Sequence, residues 1–285
     1  MTDYLVYDVF TDTPFGGNPL AVIPDARGLD GALMQKITRE FNFSESTFVL
    51  PPEDPAHTAK VRIFTPSAEL PFAGHPTIGT GIALAEMGHG PDMVLELGVG
   101  PIPVTAQNGS ARFVTKTPLT KGDRPTPGEI ADCLGLTADA IRTDRHAPQM
   151  ASVGLSFCLA ELADTAALSG AVTSLAAFRQ AADQYSDRAN FGLFCYVRDG
   201  NTINARMFAP TGGIPEDPAT GSASAALTAY LADLDAMSLA LDITQGVDMG
   251  RPSRISTQAT YEDGKVQSVA VSGQARRVME GRLTL

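Results

Sequence analysis

Four side chains in this sequence are suited to proton chemistry and polar recognition: Glu45, His75, Asp217 and Ser222. Glu45 sits in F-N-F-S-E-S-T-F-V-L, at the start of a strand-like run and among aromatic and apolar side chains. A carboxyl group in such surroundings is expected to have a raised pKa and to exchange protons near neutral pH. A connector acid facing water is the alternative that the residues alone leave open. His75 follows Gly74 in F-A-G-H-P-T, and Ser222 follows Gly221 in A-T-G-S-A; each is expected to open a helix. A glycine there exposes backbone N–H groups at the positive end of the helix, where an anionic substrate group is well held. The plainer uses of these residues are an N-cap for Ser222 and a buried, hydrogen-bonded side chain for His75. Asp217, in P-E-D-P-A-T-G-S, is placed to orient His75, to bind substrate hydroxyls, or simply to shape the turn before a proline. A serine hydrolase is disfavoured, because T-G-S-A-S at 220–224 lacks the G-x-S-x-G nucleophile elbow.

The elements that carry these residues occur twice. Arg62, Phe64 and Pro66 in R-I-F-T-P recur as Arg206, Phe208 and Pro210 in R-M-F-A-P. After a short insertion, Glu69, Pro71 and Gly74 recur as Glu216, Pro218 and Gly221, giving E-x-P-x-x-G both times. A repeat at half the chain length points to a duplicated domain, since solenoid periods run about 20–50 residues. Duplicated domains commonly build a site in the cleft between them, so the two turns are expected to meet there. The duplication is asymmetric: Glu45 falls opposite Phe191 in the second copy, so only one half carries the carboxylate.

At 285 residues the chain is long enough for two domains, each burying its own core. Boundaries are expected at 1–117 and 118–279, with a last strand at 280–285 returning to the first domain. The stretch K-T-P-L-T-K-G-D-R-P-T-P at 116–127 has the proline and charge density of an interdomain crossing. Helices are expected over 29–41, 77–87, 165–185 and 222–234, with Leu33, Met34, Ile37 and Phe41 on one face of the first. Asn108-Gly109 and Asp263-Gly264 are hairpin turns. The order of short strands predicts largely antiparallel sheets, each packed on its own helix.

A net charge of -11 argues against nucleic acid as a partner and offers no long-range attraction for an anionic substrate, which would have to be held by local donors. The histidines at 57, 75, 89 and 146 lack metal-ligand spacing, Gly79 and Gly81 lack the third glycine of a dinucleotide loop, and no Walker loop occurs. No metal, flavin, nicotinamide or pyridoxal cofactor is expected. No run reaches the roughly 18 apolar residues that span a membrane, and the acidic N-terminus does not read as a signal peptide. Cys133, Cys158 and Cys195 are expected to be free buried thiols. A cytoplasmic homodimer acting on a small carboxylated substrate, with no nucleic acid and no membrane, is the expectation.

The chain resembles the phenazine-biosynthesis isomerase (PhzF-like) family, whose fold is that of diaminopimelate epimerase. The matching motifs are G-G-N-P-L-A-V (16–22), F-S-E-S (43–46), F-T-P-S-A-E-L-P-F-A-G-H-P-T-I-G (64–79), F-A-P-T-G-G-I-P-E-D-P-A-T-G-S-A (208–223) and Q-G-V-D-M-G-R-P-S (245–253). The resemblance implies an α+β fold of two similar pseudo-symmetric domains, mainly antiparallel sheet around a central helix in each. It implies Glu45 as general acid/base, with His75, Asp217, Ser222, Gly74 and Gly221 contacting substrate, and isomerisation without a cofactor. The related epimerases place a cysteine before each helix-opening glycine. Here those positions are Ala73 and Thr220, neither of which serves as a base, so two-base stereoinversion is disfavoured. A binding or regulatory protein that keeps the pocket without turnover is the alternative from another class, with an epimerase or racemase behind it. S-V-G-L-S-F-C (152–158) and R-H-A-P-Q (145–149) are more idiosyncratic and assign no substrate.

Overall fold

A computed structural model of the chain describes residues 1–185 and 191–285. It divides into two compact units, Met1–Thr115 with Ala270–Leu285, and Lys116–Val269. The return to the first unit thus begins at Ala270, where the sequence suggested 280. Elements of the first part are β1 (Thr2–Val9), β2 (Asn18–Ile23), α1 (Gly31–Phe41), β3 (Glu45–Leu50), β4 (Ala59–Phe64), β5 (Glu69–Leu70), α2 (Gly74–Glu86), β6 (Asp92–Leu97), β7 (Gly100–Gln107) and β8 (Ser110–Thr115). The second part holds β9 (Thr120–Lys121), α3 (Pro127–Leu134), β10 (Gln149–Ser152), β11 (Ser156–Glu161), α4 (Thr165–Gly170), α5 (Leu175–Tyr185), β12 (Leu193–Asp199), β13 (Thr202–Ala209), β14 (Ile214–Asp217), α6 (Gly221–Asp235), β15 (Leu239–Gln245), β16 (Ser253–Glu262) and β17 (Lys265–Leu283).

In the first unit β17 pairs antiparallel with the whole of β1, from Thr2↔Leu283 to Val9↔Ala275, which explains the early return of the chain. Strand β1 pairs antiparallel with β2, and β2 runs parallel to β3 with α1 as the crossover. Strands β3 and β4 are antiparallel, β4 and β6 parallel across α2, and β6, β7 and β8 form an antiparallel meander. The turn between β7 and β8 is built as its residues dictate: Asn108 and Gly109 both have positive φ, 54° and 72°, as a type I′ turn requires.

In the second unit β10 and β11 are antiparallel, and β11 and β12 are parallel across α4 and α5. Strands β12 and β13 are antiparallel, β13 and β15 parallel across α6, and β15 and β16 antiparallel. Part of the expected interdomain crossing is ordered structure of this unit: β9 pairs with β10, and Thr126 and Glu129 make a capping box that starts α3, with Pro127 as its first residue. Each of these four parallel pairings within a largely antiparallel plan needs a helical crossover, which α1, α2, α4 with α5, and α6 supply.

Helix α2 is buried from Gly74 to Leu84 and packs on β1, β2, β3, β7 and β8. A helix apolar all round belongs inside a core, and two glycines let the strands close on it. A Cβ on Gly79 would lie 2.6 Å from Leu20 Cδ2 and 2.7 Å from Val9 Cγ2. Helix α6, buried from Ala223 to Ala232, packs likewise on β10, β11, β15 and β16. Satellite cores fill the outer faces: Ile23, Met34, Ile37, Phe48 and Phe64 under α1, and Leu134, Phe178, Phe191 and Cys195 in the second unit. All three cysteines are free and buried, and burial pushes the Cys133 thiol up to about 12.

Candidate active site

Glu45 is the first residue of β3, in register with Leu20 of β2. That places its carboxylate beside the start of β2 and the start of α2. Oε2 of Glu45 lies 3.2 Å from Nδ1 of His75, with the two side chains 13% and 4% exposed. The contact is not an ion pair. Burial drives the His75 imidazolium down to about 3, against a smaller opposing pull from the Pro19 carbonyl, so the ring is neutral. Nε2 of His75 is buried without a hydrogen-bond partner. Asn18, wholly buried, brings Nδ2 to 3.5 Å from the same Nδ1.

His75 occupies the second position of α2, after Ala73 as N-cap and Gly74 as first residue. Ala73 has no side-chain oxygen to cap the helix, and the first intrahelical bond is Thr77 N–H to the Ala73 carbonyl. The N–H groups of Gly74 and His75 thus precede the helical ladder. Helices α1, α3 and α4 are capped by Asp30, Thr126 and Asp164; α2 and α6 receive no such cap.

In the second unit Asp217 ends β14 and is buried. Its Oδ2 accepts from Thr220 Oγ1 at 2.5 Å. Thr220 is the N-cap position of α6, Gly221 and Ser222 its first two residues, and Ser224 N–H makes the first intrahelical bond to the Thr220 carbonyl. Ser222 is half-buried and lies inside the helix, so the alternative of an ordinary N-cap serine is set aside. Thr220 is tied further by Gln245, whose Oε1 accepts from Thr220 N–H at 3.1 Å and whose Nε2 donates to the Asp217 carbonyl at 2.7 Å and to Thr220 Oγ1 at 3.0 Å.

The structure brings Glu45, His75 and Gly74 together in the first unit, and Asp217, Gly221 and Ser222 in the second. Reading the four reactive side chains alone passes over Asn18, Thr220 and Gln245. Gln245 had a signal: it falls on the inward parity of β15, with Leu239, Leu241 and Ile243, where an apolar residue is the rule. A separate open depression of about 860 Å³ lies in the first unit and includes Glu53, His57, Arg62, Glu69 and Glu96, but neither Glu45 nor His75. Its Glu96 carboxylate is taken up by the N–H groups of Glu53 and Asp54 and by His57, which pins a loop.

A family of phenazine biosynthesis-like proteins, PhzC-PhzF, matches residues 7–281. The chain belongs to that family. An uncharacterised isomerase of Mesorhizobium japonicum is 38% identical over 99% of this chain and 98% of its own. The trans-2,3-dihydro-3-hydroxyanthranilate isomerase of Pseudomonas aeruginosa is 35% identical over the full length of both. A PhzF-family phenazine biosynthesis protein of Bacillus anthracis superposes with a TM-score of 0.86 at 24% identity, covering 100% of this chain and 99% of its own. These relatives place the PhzF-like chain among isomerases, with the fold of the family. No helix among its described residues is long and apolar enough to cross a membrane.

Proposed function

We propose that this chain is a cofactor-independent isomerase that moves a proton within a small carboxylated, cyclic or unsaturated substrate. Glu45 removes a proton from a carbon next to an electron-withdrawing group, the electron pair delocalises into that group, and the protonated Glu45 returns the proton to another carbon. Donors at the start of α2, on Gly74 and His75, hold the negative charge while it is delocalised. Asp217, Ser222 and Gly221 are proposed as substrate contacts. The observation that carries this reading is the 3.2 Å approach of the Glu45 carboxylate to a buried neutral imidazole at an uncapped helix start. Against stereoinversion by two bases stand Ala73, which has no ionisable group, and Thr220, whose hydroxyl is spent on Asp217.

The two units are proposed to be halves of a duplication. In support, Arg62 pairs with Glu69 and stacks over Phe64, while Arg206 pairs with Glu216 and stacks over Phe208. The three-residue insertion in the second copy falls between Pro210 and Glu216, where the chain makes the 3₁₀ turn Pro210–Gly212.

The relative from Pseudomonas aeruginosa is named for trans-2,3-dihydro-3-hydroxyanthranilate, and that compound is the first substrate to try. Incubation in D₂O with this and related cyclic dienoic acids, followed by NMR, should show product formation and solvent exchange at the migrating position. A panel of such acids that shows neither turnover nor exchange, while binding normally, would favour a binding protein of the same fold.

A further inference from the structure

Resting on that reading of Asp217, we infer that Thr220 and Gln245 are positioning residues that hold the Asp217 carboxylate in one orientation for a hydrogen-bond donor on the substrate. The three residues are linked to one another by hydrogen bonds. Thr220 Oγ1 gives its hydrogen to Asp217 Oδ2 at 2.5 Å and takes one from Gln245 Nε2 at 3.0 Å. The same Gln245 amide spans the Asp217 carbonyl and the Thr220 N–H at 2.7 and 3.1 Å, so it fixes both ends of the turn Asp217-Pro218-Ala219-Thr220. All three residues are buried: Gln245 is fully so, with Asp217 and Thr220 at 7% and 8%.

Burial matters because a carboxylate there must be met by donors fixed in place; water cannot turn to serve it. The amide of Gln245 has a single orientation consistent with its partners. Nε2 must face the Asp217 carbonyl and Oε1 the Thr220 N–H, and this forces the Thr220 hydroxyl to donate toward Asp217. Gly246 allows the close approach. It has φ +76°, and a Cβ there would lie 2.6 Å from the Pro218 carbonyl oxygen and 2.5 Å from that of Arg251. The end of β15 is therefore pressed onto the turn that carries Asp217. An oriented carboxylate recognises an amino or hydroxyl group on the substrate without first losing rotamer freedom. The chemical class that uses it is a ring acid bearing such a donor, as opposed to a bare carboxylate.

The probes are 3-hydroxyanthranilate, which carries amino and hydroxyl donors beside its carboxylate, and benzoate, which has the carboxylate alone. Binding is measured by calorimetry for wild type, Thr220→Val, Thr220→Ser, Gln245→Glu and Asp217→Asn. Thr220→Val is expected to weaken 3-hydroxyanthranilate by about tenfold, the worth of a hydrogen bond to a charged group, and benzoate by under about twofold. Gln245→Glu, which loses both donated hydrogens, should behave in the same way, and Thr220→Ser should stay close to wild type. An equal loss for both probes in Thr220→Val, or no loss for either, overturns the positioning role. Asp217→Asn separates the two levels of the argument. If it binds 3-hydroxyanthranilate normally, Asp217 is not a substrate contact and the proposed function loses that residue. If it fails while Thr220→Val binds normally, only the positioning is wrong. Crystal structures of the two Thr220 variants need no ligand. The Asp217 carboxylate should keep its place in Thr220→Ser and turn away from residue 220 in Thr220→Val, and an unmoved carboxylate in the latter overturns the inference.

Discussion

Glu45 Oε2 and His75 Nδ1 are 3.2 Å apart, yet burial keeps the imidazole neutral and no charge pair forms. The consequence is a division of labour. A histidine held neutral far below its usual range cannot trade protons near pH 7, so in the proposed mechanism the shuttle is assigned to the carboxylate.

Glu45→Gln is therefore expected to abolish turnover while preserving the fold and most of the ligand affinity. Gln keeps the shape and hydrogen-bonding capacity but cannot carry a proton, and general acid–base catalysis is worth about 10²–10⁴-fold. Loss at or beyond the upper end of that range is expected, because Ala73 and Thr220 supply no second base. Turnover and deuterium incorporation are compared with wild type on one substrate; rates within a few-fold of wild type remove Glu45 from the mechanism.

The neutral histidines also set an acid limit on stability. His75 is held at about 3 by burial, and His146, buried and bonded to Tyr196 and the Ala147 carbonyl, is pushed in the same direction by burial. Both folded values lie below the unfolded one, so the unfolded chain binds more protons and stability falls as pH drops below about 6.5. For each such proton the slope approaches about 1.4 kcal/mol per pH unit. Urea unfolding from pH 7.5 to 4.5 should show this fall, and His75→Asn should flatten it. An unchanged slope in that variant would mean that His75 takes up no proton on unfolding.

The paired arginines predict unequal costs. Arg206 is 8% exposed, binds Glu216 through two nitrogens and gives Nη1 to the carbonyls of Leu168, Ser169 and Ala171 at the end of α4. Arg62 makes the matching pair with Glu69 nearer to solvent, at 27% and 43% exposure. Arg206→Met should cost about 3–5 kcal/mol, since it strands a carboxylate and three carbonyls. Arg62→Met should cost about 0–1 kcal/mol. Denaturant midpoints at constant slope measure both, and equal costs would contradict the difference in burial.

Much of this was legible because it is local. The Asn108-Gly109 turn, the helix-opening glycines and the twofold Arg-x-Phe and Glu-x-Pro-x-x-Gly spacing are properties of neighbouring residues, and the fold follows them. The early return at Ala270 was not legible, because strand β17 has no break where it passes from one unit to the other and its pairing with β1 is set by residues far away in sequence. Gln245 is the instructive miss at the site. Its place on the inward parity of β15 marks it as a buried polar residue, but its partners, Thr220 and Asp217, are brought against it from other elements. The protonation of His75 was beyond the sequence too, since it depends on how completely α2 is enclosed.

The turn from Phe10 to Gly17 gives a last test, of how firmly the first constellation is held. Phe10 and Phe15 both have positive φ, at 67° and 69°, and the N–H of Phe15 is bound by the buried carboxylate of Asp8 at 2.7 Å. Gly17 closes this turn with φ +61°, and a Cβ on it would lie 2.3 Å from the Val9 carbonyl oxygen, a backbone atom that cannot step aside. Asn18 and Pro19, which lie against His75, come directly after it. Gly17→Ala is expected to cost about 1–3 kcal/mol of stability and, by displacing β2 at its start, to lower kcat by up to about 10²-fold, as misplacement near a reacting group does. Gly28→Ala is the control: its φ of +83° carries the same backbone penalty, but nothing lies within 4 Å of the added carbon. It should lose about 1 kcal/mol and no activity. If Gly17→Ala matches Gly28→Ala in both stability and kcat, the turn does not hold the site in register.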